Sequence, residues 1–187
     1  MRQLALFLVL LLVFCSCTRD YKIREVIQQM EEVPFHIETN GMIHWFPDSM
    51  IHYSTSDAEL KVVVYSDSTD CTGCYIKQLN LWNDFIEIEE ESKGKVVFIF
   101  IMDVNPKDCN MVYNALNTSA LKHSVFIDTL HSFRRENKQI PDNKLFYTFV
   151  LNKDNKVVLI GNPLFNERIE KLFQELTRDQ LKLKTRQ

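Results

Sequence analysis

Cys71 and Cys74, in the run Cys71-Thr72-Gly73-Cys74, are the side chains best equipped for chemistry in this chain. They follow the apolar run Leu60–Tyr65, which reads as a buried strand, and the polar segment Ser66–Asp70. Behind them Ile76, Leu79, Trp82, Phe85 and Ile86 recur with the spacing of one amphipathic helix. The pair therefore opens a helix. A helix N-terminus has unpaired N–H groups and the positive end of the helix dipole, and both stabilise a thiolate, the reactive form of cysteine. One helical turn separates the two sulfurs, within disulfide reach. The arrangement suits cyclic thiol–disulfide exchange, in which Cys71 attacks and Cys74 resolves. Two rival readings remain open: a redox-inert or structurally bridged binding module, and a metal carrier. The chain has no second C-x-x-C and no histidine pair at ligand spacing, so the carrier ranks last and no metal or other cofactor is expected. His36, His44 and His52, irregularly spaced, read as surface or packing residues.

The elements that must position the pair follow from periodicity. Val96–Met102 is an uninterrupted apolar run, as for a central strand covered on both faces. Strand, helix and strand in this spacing form a βαβ unit with parallel strands. A second helix is expected from about Asp108 to Leu121, a short strand at Val125–Asp128 and a helix from Leu130 to Asn137. The strands Tyr147–Leu151 and Lys156–Ile160 are joined by Asn152-Lys153-Asp154-Asn155, residues suited to a hairpin turn. Asn166 is a good N-cap for a last helix with Ile169, Leu172, Phe173 and Leu176 on one face. Ahead of the βαβ unit, Ile23, Val26, Ile27 and Met30 predict a short amphipathic helix, and Asn40-Gly41 within residues 36–45 predicts a hairpin. Phe149, Val150, Val97, Ile99, Leu79 and Phe85 are expected in the core.

Over residues 60–178 this pattern resembles the thioredoxin family, and most closely its exported, membrane-tethered TlpA/ResA-type oxidoreductases. The resemblance rests on the strand Leu60–Tyr65, the cysteine pair, the strand Val96–Met102, the inserted strand and helix at Val125–Asn137, and the segment at 147–158. It implies an α/β, thioredoxin-like fold, a central mixed β-sheet flanked by helices, here with an N-terminal helix and hairpin extension. It also implies that Cys71 and Cys74 are redox-active toward a protein thiol or disulfide. Two positions depart from the family pattern. Asp70 and Gly73 stand where the family usually has Trp and Pro, and a carboxylate beside Cys71 opposes thiolate formation. Tyr147 occupies the slot of the family's cis-proline, so Tyr147 and Thr148 become the candidate substrate-docking residues. A cis bond before a non-proline residue costs about 2.5–4 kcal/mol, so Tyr147 should be trans, its ring partly covering Cys71. The peroxiredoxin pattern fits poorly, because no proline precedes Cys71 in the loop.

The chain opens with Arg2 and an unbroken apolar run from Leu4 to Phe14. A helix of that run spans only about 16 Å, against a bilayer core of roughly 30 Å, which favours a signal peptide over a permanent anchor. The small residues Cys15 and Ser16 then precede Cys17, so that Phe14-Cys15-Ser16-Cys17 resembles a bacterial lipobox with Cys17 as the lipidated residue. The expected organisation is a signal peptide at 1–16, a lipid-anchored extension at 17–59, the thioredoxin-like domain at 60–178 and a basic tail at 179–187. Thr18, rather than aspartate, implies the periplasmic side of the outer membrane of a Gram-negative cell. Cleavage and lipidation leave Cys71, Cys74 and Cys109, too few for a disulfide framework. Cys109 reads as a small residue packed at a helix start rather than a third redox thiol. A chain of 187 residues with net charge −3 is one domain and gives no reason to expect a nucleic-acid partner. If Cys17 carries the lipid, the wild type should sediment with membranes, whereas Cys17→Ser should be released or remain unprocessed. A soluble mature wild type in fractionated cells would exclude the anchor.

Overall fold

The computed structural model describes residues 21–47, 53–69 and 72–182. Six strands form one mixed sheet in the order β1-β4-β3-β2-β5-β6. They are β1 (Ile43–Trp45), β2 (Leu60–Ser66), β3 (Val96–Asp103), β4 (Val125–Asp128), β5 (Thr148–Asn152) and β6 (Val157–Ile160). β2, β3 and β4 run parallel, β5 is antiparallel to β2 and to β6, and β1 is antiparallel to β4. The helices are α1 (21–32), α2 (Thr72–Leu79), α3 (Asn83–Glu91), α4 (Cys109–Asn117), α5 (Ser132–Glu136) and α6 (Glu167–Lys182). This is the α/β, thioredoxin-like fold expected from the sequence. Among the described residues no helix is long and apolar enough to cross a membrane.

Every residue of β3 is buried, so the strand needs cover on both faces. Val96, Phe98, Phe100 and Met102 face a core built with Ile76 and Leu79 of α2, Val112 and Leu116 of α4 and Phe173 of α6. Ile99 and Ile101 face a second core with Val63, Tyr65, Phe133, Tyr147, Phe149 and Leu151, closed by Met30 of α1 and by Phe35. Of the expected core residues, five are buried and Phe85 is partly buried against the first cluster. In α1, Met30 is buried and Val26 and Ile27 pack on the second core, while Ile23 is exposed.

Several elements differ from the sequence expectation. The helix expected across Ile76–Ile86 is two helices joined by a 3-10 turn at Asn80–Trp82. Ile76, Leu79, Trp82 and Phe85 are spaced strictly by three, the period of a 3-10 helix, so the tighter turn keeps them on one face. The Asn40-Gly41 turn forms, with Gly41 at φ 86° and Met42 N–H donating to Thr39 O at 3.1 Å, but its arms do not pair. The later arm joins the sheet as β1 on the open edge of β4, where His44 stacks on Phe126 at 4.5 Å and Trp45 Nε1 donates to Asn117 at 2.7 Å. The earlier arm is held through His36, whose N–H and carbonyl both bond the buried Asn137 side chain (2.8 and 3.0 Å). α4 and α5 are shorter than expected, and α6 continues past residue 178 to Lys182, with Leu172 exposed. Asn166 caps α6 as expected, accepting from Arg168 N–H at 3.0 Å. The β5–β6 turn also forms, with Asn155 at φ 59° and its Oδ1 accepting from buried Lys61 Nζ at 2.8 Å.

β3 and β4 pair only from Phe100 onward, and Glu89 of α3 fills the gap below: its Oε2 accepts from Phe98 N–H at 3.1 Å. The same oxygen lies 2.9 Å from His123 Nε2, and His123 Nδ1 donates to Ser124 O at 3.1 Å. All of this is buried. Removing one partner of a buried pair leaves the other without its solvation, at a cost of about 3–5 kcal/mol. His123→Ala should therefore lower the unfolding free energy by about 3 kcal/mol or more in urea denaturation. A loss below about 1 kcal/mol would show that the pair does not brace this edge.

Candidate functional site

The C-terminal ends of β2, β3 and β4 lie along one edge of the sheet, the edge where open α/β folds place their ligands. α2 rises from this edge with Gly73 and Cys74 in its first turn, as the sequence predicts. Cys71 and Asp70 lie outside the described residues, as does the lipobox with Cys17. His52 is outside them too.

Tyr147 and Thr148 sit at the same edge. Tyr147 closes a 3-10 turn at Lys144–Phe146, and its peptide bond is trans. A cavity of about 200 Å³ lies between this segment and α2, lined by Tyr75, Gln78, Leu79 and Trp82 on one side and Tyr147 and Thr148 on the other. The Tyr147 ring meets the Tyr65 ring edge-on at 5.0 Å, and its hydroxyl donates to Asp67 Oδ2 at 2.6 Å. The phenol oxygen in turn accepts from Arg134 Nη1 at 3.1 Å. Arg134 is paired in turn with Asp142. Asp67 Oδ1 accepts from Thr69 N–H at 2.8 Å and Thr69 Oγ1 at 2.5 Å, so one carboxylate orders the start of the segment that leads to Cys71. Burial works to raise the Asp67 carboxyl, but the bonds from Thr69 and Tyr147 outweigh it and hold the group below the usual carboxylate range. Burial and the bond to Asp67 push the Tyr147 phenol up to about 12.

A second polar group stands beside this one. Asp103 ends β3, and its carboxylate accepts from Tyr65 OH at 3.1 Å and meets His131 Nδ1 at 2.5 Å. Burial raises the Asp103 carboxyl above its ordinary value, against the opposing pull of His131 and Tyr65. His131 has φ 53° and a half-exposed side chain. Asp128, which ends β4, caps α5 by accepting from Phe133 N–H at 2.8 Å and Ser132 Oγ at 3.0 Å. Sequence reasoning singled out neither Asp67 and Arg134 nor Asp103 and His131. The available signal was modest: the apolar strand runs of β3 and β4 each end on an aspartate.

Cys109 starts α4 as a half-buried free thiol packed against the first core, in keeping with a packing role. Elsewhere, His36 Nε2 lies 2.8 Å from Glu38 and 3.2 Å from Glu136 on the surface, and these are the described side chains that could share a cation.

No family model and no curated protein matches the chain. Among solved structures it is similar to an uncharacterized thioredoxin-like protein from Porphyromonas gingivalis, with 14% identity over 66% of this chain and 76% of that one and a TM-score of 0.45. It is similar also to a thioredoxin-like protein from Bacteroides caccae, with 18% identity over 81% of this chain and a TM-score of 0.45, and spans 53% of that protein's length. A third is a protein from Chlorobium tepidum whose name proposes a thiol:disulfide interchange protein of DsbE type, with 16% identity over 67% of this chain and 82% of that one and a TM-score of 0.45. At such distances the likeness concerns the fold alone, and the fold assignment stands on strand order and direction.

The two shifted carboxyls act oppositely on stability. A carboxyl lowered on folding contributes stability above its unfolded value of about 3.9, lost as pH falls through the folded value. Asp67 is of this kind, so Asp67→Asn should flatten the loss of stability below about pH 4. Asp103, raised on folding, favours the folded state at low pH, and that contribution is lost as pH rises through its folded value, so Asp103→Asn should remove a decline above about pH 4. Urea denaturation across this range checks both; wild-type slopes in the variants would contradict the assignments.

Proposed function

We propose that the chain is a membrane-anchored, periplasmic thiol–disulfide oxidoreductase that exchanges electrons with protein thiols through Cys71 and Cys74. The observation that carries this reading is a C-x-x-C whose second cysteine lies in the first turn of the helix after β2, at the C-terminal edge of the parallel strands. There the unpaired N–H groups and dipole of α2 favour a thiolate at its N-terminus. In this reading Cys17 carries the lipid that holds the domain to the outer membrane.

A redox-inert binding lipoprotein is the second reading, and one observation favours it. The backbone of Tyr147 is internally paired, N–H to Lys144 O at 3.2 Å and carbonyl from Tyr65 N–H at 2.9 Å, so its one donor is already used.

A turnover assay with a dithiol donor and a disulfide acceptor separates the two. The wild type should cycle, Cys71→Ser should fall to background, and Cys74→Ser should accumulate a mixed disulfide at Cys71, seen by mass spectrometry under non-reducing conditions. A folded wild type with no turnover on any disulfide would establish the inert reading.

A further inference from the structure

Away from the sheet edge, His36, Glu38 and Glu136 bring an imidazole and two carboxylates to one point of the surface. The segment after α1 alternates as a strand does: Phe35 is buried and Ile37 packs on the second core, while His36 and Glu38 are exposed together. Glu136 ends α5, and the next residue, Asn137, is fully buried. The Asn137 side chain accepts from His36 N–H at 2.8 Å and donates to His36 O at 3.0 Å and to Phe133 O at 2.9 Å. Phe35 N–H donates to Asn155 O at 2.8 Å, so the backbone carrying His36 is fixed to the domain at two points. The imidazole of His36 and the carboxylate of Glu136 are thus placed side by side by a buried clamp and not by their own contact.

His36 Nε2 lies 2.8 Å from Glu38 Oε2 and 3.2 Å from Glu136 Oε2, and one ligand atom from each residue falls within 4.8 Å of the others. Nitrogen and oxygen ligands held about 2.0–2.2 Å from a tetrahedral zinc ion stand roughly 3.4 Å apart, so small movements of these exposed side chains admit the ion. Asn40 Nδ2 donates to Glu38 Oε1 at 2.9 Å, which orients that carboxylate and leaves Oε2 for the shared point. Without an ion the cluster is short of positive charge. Two carboxylates converge on one imidazole nitrogen, which carries at most one proton.

We propose that His36, Glu38 and Glu136 form a binding site for a divalent first-row transition-metal ion, which ties the segment after α1 to the end of α5. The imidazole selects ions of zinc type over magnesium and calcium, which take oxygen ligands. Three protein ligands leave the remaining position to water. The site uses neither Cys71 nor Cys74. A search for histidine pairs misses it, because two of its ligands are carboxylates and the clamp that assembles it spans 101 positions.

The test is equilibrium dialysis of the full chain against Zn(II), after chelator treatment and with the thiols alkylated so that cysteine cannot hold the ion. The wild type should bind one ion per chain. Co(II) in its place should show no sulfur-to-metal charge-transfer band. His36→Ala and Glu136→Gln should each weaken binding by at least the roughly tenfold that loss of a mere orienting partner costs. Asn40→Ala should weaken it less, and His44→Ala, whose ring stacks on Phe126, should leave it unchanged. Zn(II) should raise the unfolding midpoint of the wild type and not of His36→Ala or Glu136→Gln, as for an ion held only by the folded state. All of the substituted site residues are exposed, and circular dichroism checks that each variant folds. Zinc binding that survives both ligand substitutions, displacement of zinc by an equal concentration of Mg(II), or no binding by the folded wild type would each overturn the proposal.

Discussion

The structure depends on a strand that cannot face water on either side. Val96–Asp103 is buried along its whole length, and its alternating residues feed two separate cores. Burying one large apolar side chain contributes about 1.5–3 kcal/mol, whereas a typical hydrogen bond contributes about 1 kcal/mol net. The seven buried apolar residues of this strand therefore outweigh the polar network at the sheet edge. The frame sets where the edge residues stand, and those residues are free to carry chemistry. α2, α4 and α6 exist as a layer because one face of β3 requires cover, and α1 and α5 because the other does.

The second constraint comes from backbone groups that the sheet leaves without strand partners. Phe98 N–H is reached by Glu89, the start of α5 by Asp128, and the segment before β1 by Asn137. Each is a buried side chain standing in for a strand or a helical turn, as buried backbone groups demand. Glu89 and Asp128 act on backbone 9 and 5 positions away, whereas Asn137 reaches His36 across 101 positions and ties the segment after α1 to the end of α5. These directional bonds supply what nonpolar packing alone does not.

The strands and the helical layer were legible because their signals are local. The Val96–Met102 run, the Asn152–Asn155 turn and the Asn166 cap each declare themselves within a few residues. Cys74 at a strand-to-helix junction was legible for the same reason. The split of the α2–α3 region was less so, since spacing by three satisfies a 3-10 turn and a helix alike. The hairpin at Asn40-Gly41 misled because a turn signal fixes the turn and not the partner of its arms; the open edge of β4 was the better partner. The polar network escaped altogether. Asp67 and Tyr147 lie 80 positions apart and Asp103 and His131 lie 28 apart, and no periodicity links residues that meet only when the sheet assembles.

That network gives the departures from the family pattern a common physical sense. A proline in the slot of Tyr147 would lack the N–H that bonds Lys144 and the phenol that reaches Asp67. With tyrosine there, the segment before Cys71 is held by its own Asp67–Thr69 bonds and, across the sheet edge, by the phenol. The consequence is also electrostatic. Asp67 is a carboxylate close in sequence to Cys71, and negative charge near a thiol opposes its ionisation. Three donors take up the Asp67 oxygens, and Arg134 bonds the phenol that supplies one of them. The one side chain, Tyr147, thus both orders the segment that leads toward α2 and solvates the carboxylate that segment carries.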